Sequence, residues 1–220
     1  MKTVEERKPL ENRGYLFEIR AEHDDKHGDH IVGRPIVYDK PTDIDGMFEE
    51  VICAGAVDEA DLRDVRFLVN HDLNKIPLAR SRRNNENSTM LLSVDRKGME
   101  IRVNLDTENN ADARALYSAV KRGDITGMSF MFGIAEERWE DLESDYPKRF
   151  VIKISKVVEV SAVTFPAYED TEISARNREA LDNAKRTVDT ARAKSETLES
   201  EEHEDELELL KEKNKILGGF

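Results

Sequence analysis

The sequence predicts a mainly β domain with helices, an α+β fold built as a β-barrel or sandwich, followed by a long charged C-terminal helix. Before about residue 175, the 220-residue chain holds about eight short apolar runs and only one clear helical period. After Arg176 it becomes rich in Glu, Lys, Arg and Ala, with no Pro or Gly until Gly218. Strands that do not alternate with helices favour a barrel or sandwich over a βαβ sheet.

The strands predicted for the first half are separated by short polar connections. They are 14–20, 30–40, 47–57 and 65–72, with a polar helix-like stretch at 58–64, and then two strands within 88–106. A Gly-Arg-Pro sequence at 33–35 interrupts the second strand, and Arg96-Lys97-Gly98 forms the turn between the last two.

One helix and three more strands complete the predicted domain. Ala113, Leu116 and Val120 lie at helical spacing within 110–122, and Gly123 is suited to end that helix. The later strands are 123–139, 149–154 and 156–166, with a loop at 141–148.

The chain therefore divides into an N-terminal arm at 1–13, a β domain at 14–176 and a charged tail at 177–220. Between Glu196 and Glu212 the tail carries nine acidic residues and one lysine. Its apolar residues are too sparse for a core, which leaves two interpretations open. It is either a charged, partly ordered arm or a helix that binds a partner.

Composition excludes several classes of function. The net charge of −13 argues against a nucleic-acid-binding protein. The single cysteine, Cys53, permits neither an internal disulfide nor a CxxC metal pair. The N-terminal sequence has no apolar signal core and no run approaches a membrane span, so a protein made in the cytosol without membrane contact is expected.

Three histidines close to the N-terminus are candidate metal ligands. His23, His27 and His30 would have suitable spacing in a helix, but Gly28 and the surrounding aspartates favour a loop. We therefore predict no metal site and no cofactor.

The segment GDITGMSFMFGI, residues 123–134, places one hydroxyl inside an apolar strand. Strand alternation puts three large apolar side chains on one face: Met128, Phe130 and Phe132. Ser129 and Met131 point to the other face, where Gly127 and Gly133 leave room. On periodicity alone, a structural serine is the simpler interpretation.

Two further polar residues lie in apolar strands and need hydrogen-bond partners. His71 ends a strand on the face shared by Phe67 and Val69, and Glu159 lies inside another strand. Polar groups in such company are costly unless they are hydrogen-bonded. Each also has a purely structural interpretation: His71 as a hydrogen-bonded core histidine and Glu159 as a salt-bridged carboxylate. A single site shared with Ser129 explains all three together.

Three longer segments carry a resemblance to a known family. VRFLVNHDLNKIPLARS, LDTENNADARALYSAVKRGDITGMSFMFGIAEERW and VVEVSAVTFPAYEDTEISAR resemble the prohead maturation protease of tailed bacteriophages, which belongs with the herpesvirus assemblins among serine peptidases. The upstream FEEVICAGAV resembles the family's Phe-x-Glu-x-Ile-x-x-Gly-Ala segment. These matches occur in order from about Gly14 to Arg176.

The resemblance implies a fold and a set of roles. It assigns the nucleophile to Ser129, the general base to His71 and the acidic third member to Glu159. It also implies an assemblin-like closed or partly open β-barrel flanked by helices. Met131 stands where relatives often have a smaller residue, and we expect it to narrow the site.

Other candidates for these roles are weaker. In a strand, Asp72 would point away from His71, and Ser161 has no base of its own. Met131 replaces the second glycine of a Gly-x-Ser-x-Gly elbow, which disfavours an α/β-hydrolase. Cys53 has no paired histidine motif.

By the same resemblance, the protein is a serine endopeptidase that cleaves scaffold protein, or the scaffolding region of the major capsid protein, and itself. It would act in the host cytoplasm inside the immature capsid, with those proteins as partners and self-association possible. Two alternatives stay open. One is a non-catalytic internal scaffold or capsid-assembly module on the same barrel, and the other is a protease–scaffold fusion.

Overall fold

The computed structural model describes most of the β domain and part of the tail. The described residues are 11–15, 19–44, 46–164, 182, 184–197, 210–211 and 213. Their elements are, in chain order, β1 (Glu11–Tyr15), β2 (Ile19–Asp24), β3 (Gly28–Val37), β4 (Thr42–Ile44), β5 (Phe48–Ile52), β6 (Asp64–Val69), β7 (Ala79–Arg82), β8 (Met90–Asp95), β9 (Gly98–Asn104), α1 (Ala111–Arg122), β10 (Gly127–Glu140), β11 (Lys148–Val163) and α2 (184–197). The predicted mainly β, α+β class is confirmed.

The strands form two sheets. Sheet A has the order β1-β10-β11-β5-β4, with β6 pairing β11 and β7 pairing β6. Sheet B has the order β2-β3-β9-β8. The long strand β11 runs antiparallel to β10 and takes two parallel partners, β5 at its start and β6 near its end.

The two sheets are not closed into a barrel, so the closed form of the predicted barrel is not what these strands adopt. Among the described residues, β1, β4 and β7 end sheet A and β2 and β8 end sheet B, each with one neighbour. Closure would require such edge strands to pair with one another.

The core lies between the two sheets and α1. Alternate side chains of β10 and β11 are buried against sheet B, and three residues of α1 pack on the same cluster: Ala113, Leu116 and Val120. The side chain of Asn110 accepts hydrogen bonds from the N–H groups of Asp112 and Ala113. Gly123 ends the helix with a φ of 80°, a conformation that glycine adopts without strain. The predicted helix is confirmed.

Several predicted boundaries are wrong for identifiable reasons. Residues 58–60 belong to a series of turns rather than a helix. The N–H groups of Asp58 and Ala60 donate to carbonyls three residues back, and that of Asp61 donates to the carbonyl of Ser155 in β11. The strands predicted at 149–154 and 156–166 are one, β11, since pairing with β10 continues across Lys156. The predicted strand 14–20 coincides with parts of β1 and β2.

Part of the predicted tail packs against the domain. In α2, Ala184 and Val188 are buried against Ile44 and Phe48. Arg192 donates hydrogen bonds from Nε to the carbonyl of Leu142, at 2.8 Å, and from Nη2 to that of Ser144, also at 2.8 Å. Of the predicted long C-terminal helix, the structure describes only residues 182, 184–197, 210–211 and 213. Most of the N-terminal arm at 1–13 also lies outside the described residues. None of the described helices is long and apolar enough to cross a membrane.

A buried arginine fixes β1 to sheet A. Arg149 is 2% exposed, and its five N–H donors meet three carboxylates. It binds Glu11 through both Nη atoms at 2.6 and 2.7 Å, Glu137 through Nε and Nη2, and Glu50 at 3.1 Å. Such bidentate, charge-assisted bonds set geometry closely, so the Arg149 cluster holds three strands of the sheet to β11.

Candidate active site

His71 lies just beyond the end of β6, in a turn that is clamped to β11. Asn70 and His71 have φ values of 53° and 57°, which take the chain out of the strand. The N–H of Asn70 donates to the carbonyl of Ala162 at 2.9 Å, and its side-chain amide exchanges two hydrogen bonds with Thr164. The prediction that His71 continues the face of Phe67 is therefore wrong, because alternation stops at Val69.

Ser129 lies in the middle of sheet A. Its strand, β10, runs between β1 and β11, and Ser129 pairs with Gly14 on one side and Ser161 on the other. The predicted division of faces is confirmed for the apolar side chains, since three residues are buried in the core: Met128, Phe130 and Phe132. Met131 is partly exposed two residues along the strand and pairs with Glu159.

The three predicted site residues come together in a hydrogen-bonded relay. His71 Nε2 lies 2.6 Å from Ser129 Oγ, and His71 Nδ1 lies 2.5 Å from Glu159 Oε1. An ionised carboxylate only accepts, so we assign the ring proton to Nδ1. The lone pair of Nε2 then accepts the proton of the Ser129 hydroxyl.

Ser161 forms hydrogen bonds with two members of this relay, Glu159 and His71. Its hydroxyl donates to Glu159 Oε2 at 2.6 Å and accepts the backbone N–H of His71 at 3.1 Å. Ser161 and Glu159 are fully buried. Each oxygen of the Glu159 carboxylate thus has a donor, which offsets much of the cost of burying its charge.

The relay is largely removed from water. Ser129 is 2% exposed, and the side chain of His71 is 22% exposed. Hydrogen bonds between polar groups are stronger in such an environment than in bulk water. The site therefore holds the hydroxyl, imidazole and carboxylate in one orientation before any substrate arrives.

The competing residues occupy other positions. Asp72 accepts a hydrogen bond from the N–H of Asn74 and takes no part in the relay. Burial raises the pKa of the Cys53 thiol, with a smaller contribution from the charge of Asp39, which disfavours the reactive thiolate. Ser161 contacts the relay as a partner of the carboxylate.

The three N-terminal histidines pair with their own neighbours. His23 bonds Asp29, His27 bonds Asp24, and His30 bonds the carbonyl of Gly28. The hydrogen bond from the His27 side chain lowers the pKa of Asp24 to about 2. In the part of the chain that the structure describes, no group of three or more His, Cys, Asp or Glu residues could hold a metal ion.

Sequence reasoning missed the residues that orient the relay. Asn70 and Thr164 join β6 to the end of β11, and Ser161 holds both the carboxylate and the main chain of His71. One signal was available, because Ser161 and Glu159 are two residues apart in a strand and share a face. The hydrogen bonds of Asn70 left no such pattern.

A hydroxyl hydrogen-bonded to an imidazole, which a carboxylate orients in turn, is an arrangement suited to acyl transfer through a serine nucleophile. Comparison with known families gives the same chemistry, because residues 16–186 match the family model described as caudovirus prohead serine protease. No curated protein and no solved structure matches the chain.

Proposed function

The chain belongs to the caudovirus prohead serine protease family, and from this premise we propose that it is an endopeptidase in which Ser129 is the nucleophile, His71 the general base and Glu159 the orienting carboxylate. The observation that supports these roles is the continuous relay from Ser129 Oγ through the His71 ring to Glu159.

In the proposed mechanism, His71 acts twice. Its Nε2 takes the proton of Ser129 as Oγ bonds to the substrate carbonyl carbon and the carbonyl electron pair moves to oxygen. When that pair returns, the peptide C–N bond breaks and the leaving amine takes the proton from Nε2. Water then hydrolyses the acyl-enzyme by the same two transfers, and Glu159 stabilises the imidazolium each time. Proton transfers of this kind contribute about 10²- to 10⁴-fold to the rate.

The proposed substrates are the scaffold protein or the scaffolding region of the major capsid protein, and the proposed place of action is the interior of the immature capsid in the host cell. Family membership supports a role in capsid maturation. Since Ser129 is almost fully buried, an extended substrate must displace part of the chain around it before attack. Met131, on the same strand face, is placed to narrow the entry.

The proposed function is tested by co-expressing the protein with the major capsid protein of the same phage and measuring intact and cleaved masses. In parallel, the purified protein is treated with a fluorophosphonate, which reacts with activated serine hydroxyls. We expect cleavage products and one adduct, on the peptide that contains Ser129. An uncleaved capsid protein together with an unlabelled Ser129 would contradict the proposal and would favour the non-catalytic assembly module.

Ser161 is proposed as a positioning residue. Replacing it with alanine removes the donor to Glu159 and the acceptor for the His71 N–H. Losing two buried hydrogen bonds of this kind should lower kcat about 10-fold. KM should stay unchanged, because Ser161 is fully buried and its hydroxyl is engaged by Glu159 and His71.

The measurement for Ser161→Ala is steady-state kinetics on a cleaved peptide, beside the rate of fluorophosphonate labelling. Both rates should fall by the same factor if Ser161 positions the relay. The matched control is Ser155→Ala, an exposed serine on the same strand, which should leave both unchanged. A rise in KM with unaltered kcat would contradict the role.

A further inference from the structure

A basic groove lies next to the relay on sheet A. Its volume is about 390 Å³, and six charged residues line it: Asp61, Arg63, Asp64, Arg66, Arg83 and Lys156. Four cations and two carboxylates give the groove a positive balance on a protein whose net charge is −13. A local excess of positive charge on a negatively charged protein indicates a functional role for the groove, because the overall composition does not account for it.

The carboxylates of the groove are already engaged. Asp61 accepts hydrogen bonds from Nε and Nη2 of Arg63 at 2.8 and 2.7 Å. These bonds hold the pKa of Asp61 below its usual range. Asp64 accepts hydrogen bonds from Nε and Nη2 of Arg80, a residue outside the groove, at 2.6 and 2.8 Å. Arg66 makes one longer contact with Asp64, at 3.3 Å.

The remaining cations face solvent. Arg83 and Lys156 are exposed, and among the residues that the structure describes neither forms an ion pair. An anionic group entering the groove can therefore bind Arg83 and Lys156 without breaking an existing ion pair. Because both groups are hydrated and flexible, each contact contributes only modestly to binding.

The groove and the relay share one side of sheet A. On β6, Val65 and Phe67 are buried in the core, so Arg66 between them points to the opposite side. Arg66 pairs with Glu159 across the parallel strands, as Leu68 does with Ser161. Lys156 pairs with Gly133 of β10, four residues along the strand from Ser129, which puts its Cα roughly 14 Å from that of Ser129. Arg83 follows β7, three strands from β10, and its Cα lies roughly 20 Å from that of Ser129.

Those separations match four to six residues of an extended peptide, at about 3.3 Å per residue. We propose that the groove binds an acidic side chain of the substrate four to six residues from the scissile bond. The substrate class is then a polypeptide with Glu or Asp at that distance from the cleaved bond. This inference rests on the proposed peptidase function.

The test uses synthetic peptides that span a cleavage site found by co-expression, with Glu or Gln at each position three to seven residues from the scissile bond. One position should show a KM about 3- to 10-fold lower with Glu than with Gln, at equal kcat. The preference should weaken as salt is raised. It should disappear in the double variant Arg83→Gln/Lys156→Gln.

The matched control is Lys153→Gln, which removes a charge from an exposed lysine on the same strand but outside the groove. It should keep the full preference for Glu. Equal cleavage of the Glu and Gln peptides at every position would overturn the inference and leave the peptidase function intact.

A separate binding measurement distinguishes failure of the groove from failure of the function. Fluorescein-labelled hexaglutamate is titrated into the Ser129→Ala protein and into the same protein carrying Arg83→Gln/Lys156→Gln. We expect binding at low salt that the double variant weakens about 3- to 10-fold. Equal affinities would overturn the groove as an acidic-peptide site, even if the wild type cleaved nothing.

Discussion

Replacing Ser129 with alanine will lower kcat/KM for a cleaved peptide by about 10⁴-fold or more. In the proposed mechanism the Ser129 hydroxyl is the group that bonds to the substrate carbon, and neither His71 nor Glu159 can replace it. Removing one oxygen at a site without large neighbours on either side, opposite Gly14 and Ser161, should leave the fold unchanged. The measurement is peptide cleavage, with circular dichroism and thermal unfolding on the same sample.

The control is again Ser155→Ala, which should retain wild-type kcat/KM. Ser129→Ala also separates a peptidase from a non-catalytic assembly module, since an assembly module needs no nucleophile. If Ser129→Ala cleaved peptide at more than about one tenth of the wild-type rate, Ser129 would not be the nucleophile.

Replacing Arg149 with methionine will destabilise the protein by about 3–5 kcal/mol. The change removes the guanidinium that Glu11, Glu50 and Glu137 share while keeping a side chain of comparable length. For a chain of this size the loss should lower Tm by roughly 10 °C. Urea unfolding followed by tryptophan fluorescence measures it directly, because Trp139 lies against this cluster.

The charge-matched control for Arg149→Met is Lys153→Met, which removes an exposed pair with Glu136 at 3.4 Å and should cost less than about 1 kcal/mol. Adding Glu11→Gln and Glu137→Gln to Arg149→Met should recover part of the loss, because fewer carboxylates then lack the cation. Equal stability of Arg149→Met and wild type would contradict the role given to the cluster.

Much of the fold could be predicted because local signals agreed with the final packing. Alternation around Ser129, the helical spacing of Leu116 and Val120, and the capping residues at both ends of α1 all act within a few residues of sequence. Whether sheets close into a barrel is decided by which distant strands meet, and the alternation pattern contains no such information.

The site was predicted by residue type better than by geometry. Ser129, His71 and Glu159 stand out as polar groups in apolar strands, and the family resemblance assigns their roles; the His71 ring does lie within hydrogen-bond distance of the other two side chains. Their catalytic roles stay a prediction. The reason given for His71 was wrong, because the left-handed turn at Asn70 depends on Thr164, which is 94 residues away.

Two features gave no local signal at all. Arg149 begins an ordinary-looking amphipathic run, and its burial depends on three carboxylates from β1, β5 and β10. In the tail, Ala184 and Val188 looked too sparse to pack, yet Ile44 and Phe48 supply the rest of the small cluster. Such clusters are completed by other parts of the chain, and a short window cannot reveal them.

The turn that carries His71 also sets a time at which activity can begin. Asn70 is fastened by Ala162 and Thr164, and the carboxylate that orients the imidazole is residue 159. In a nascent chain on the ribosome, the His71 ring lacks these contacts until synthesis has passed Thr164. Under the proposed mechanism, unfinished polypeptides are therefore inert, and hydrolysis starts only in molecules that have been translated and folded beyond that position.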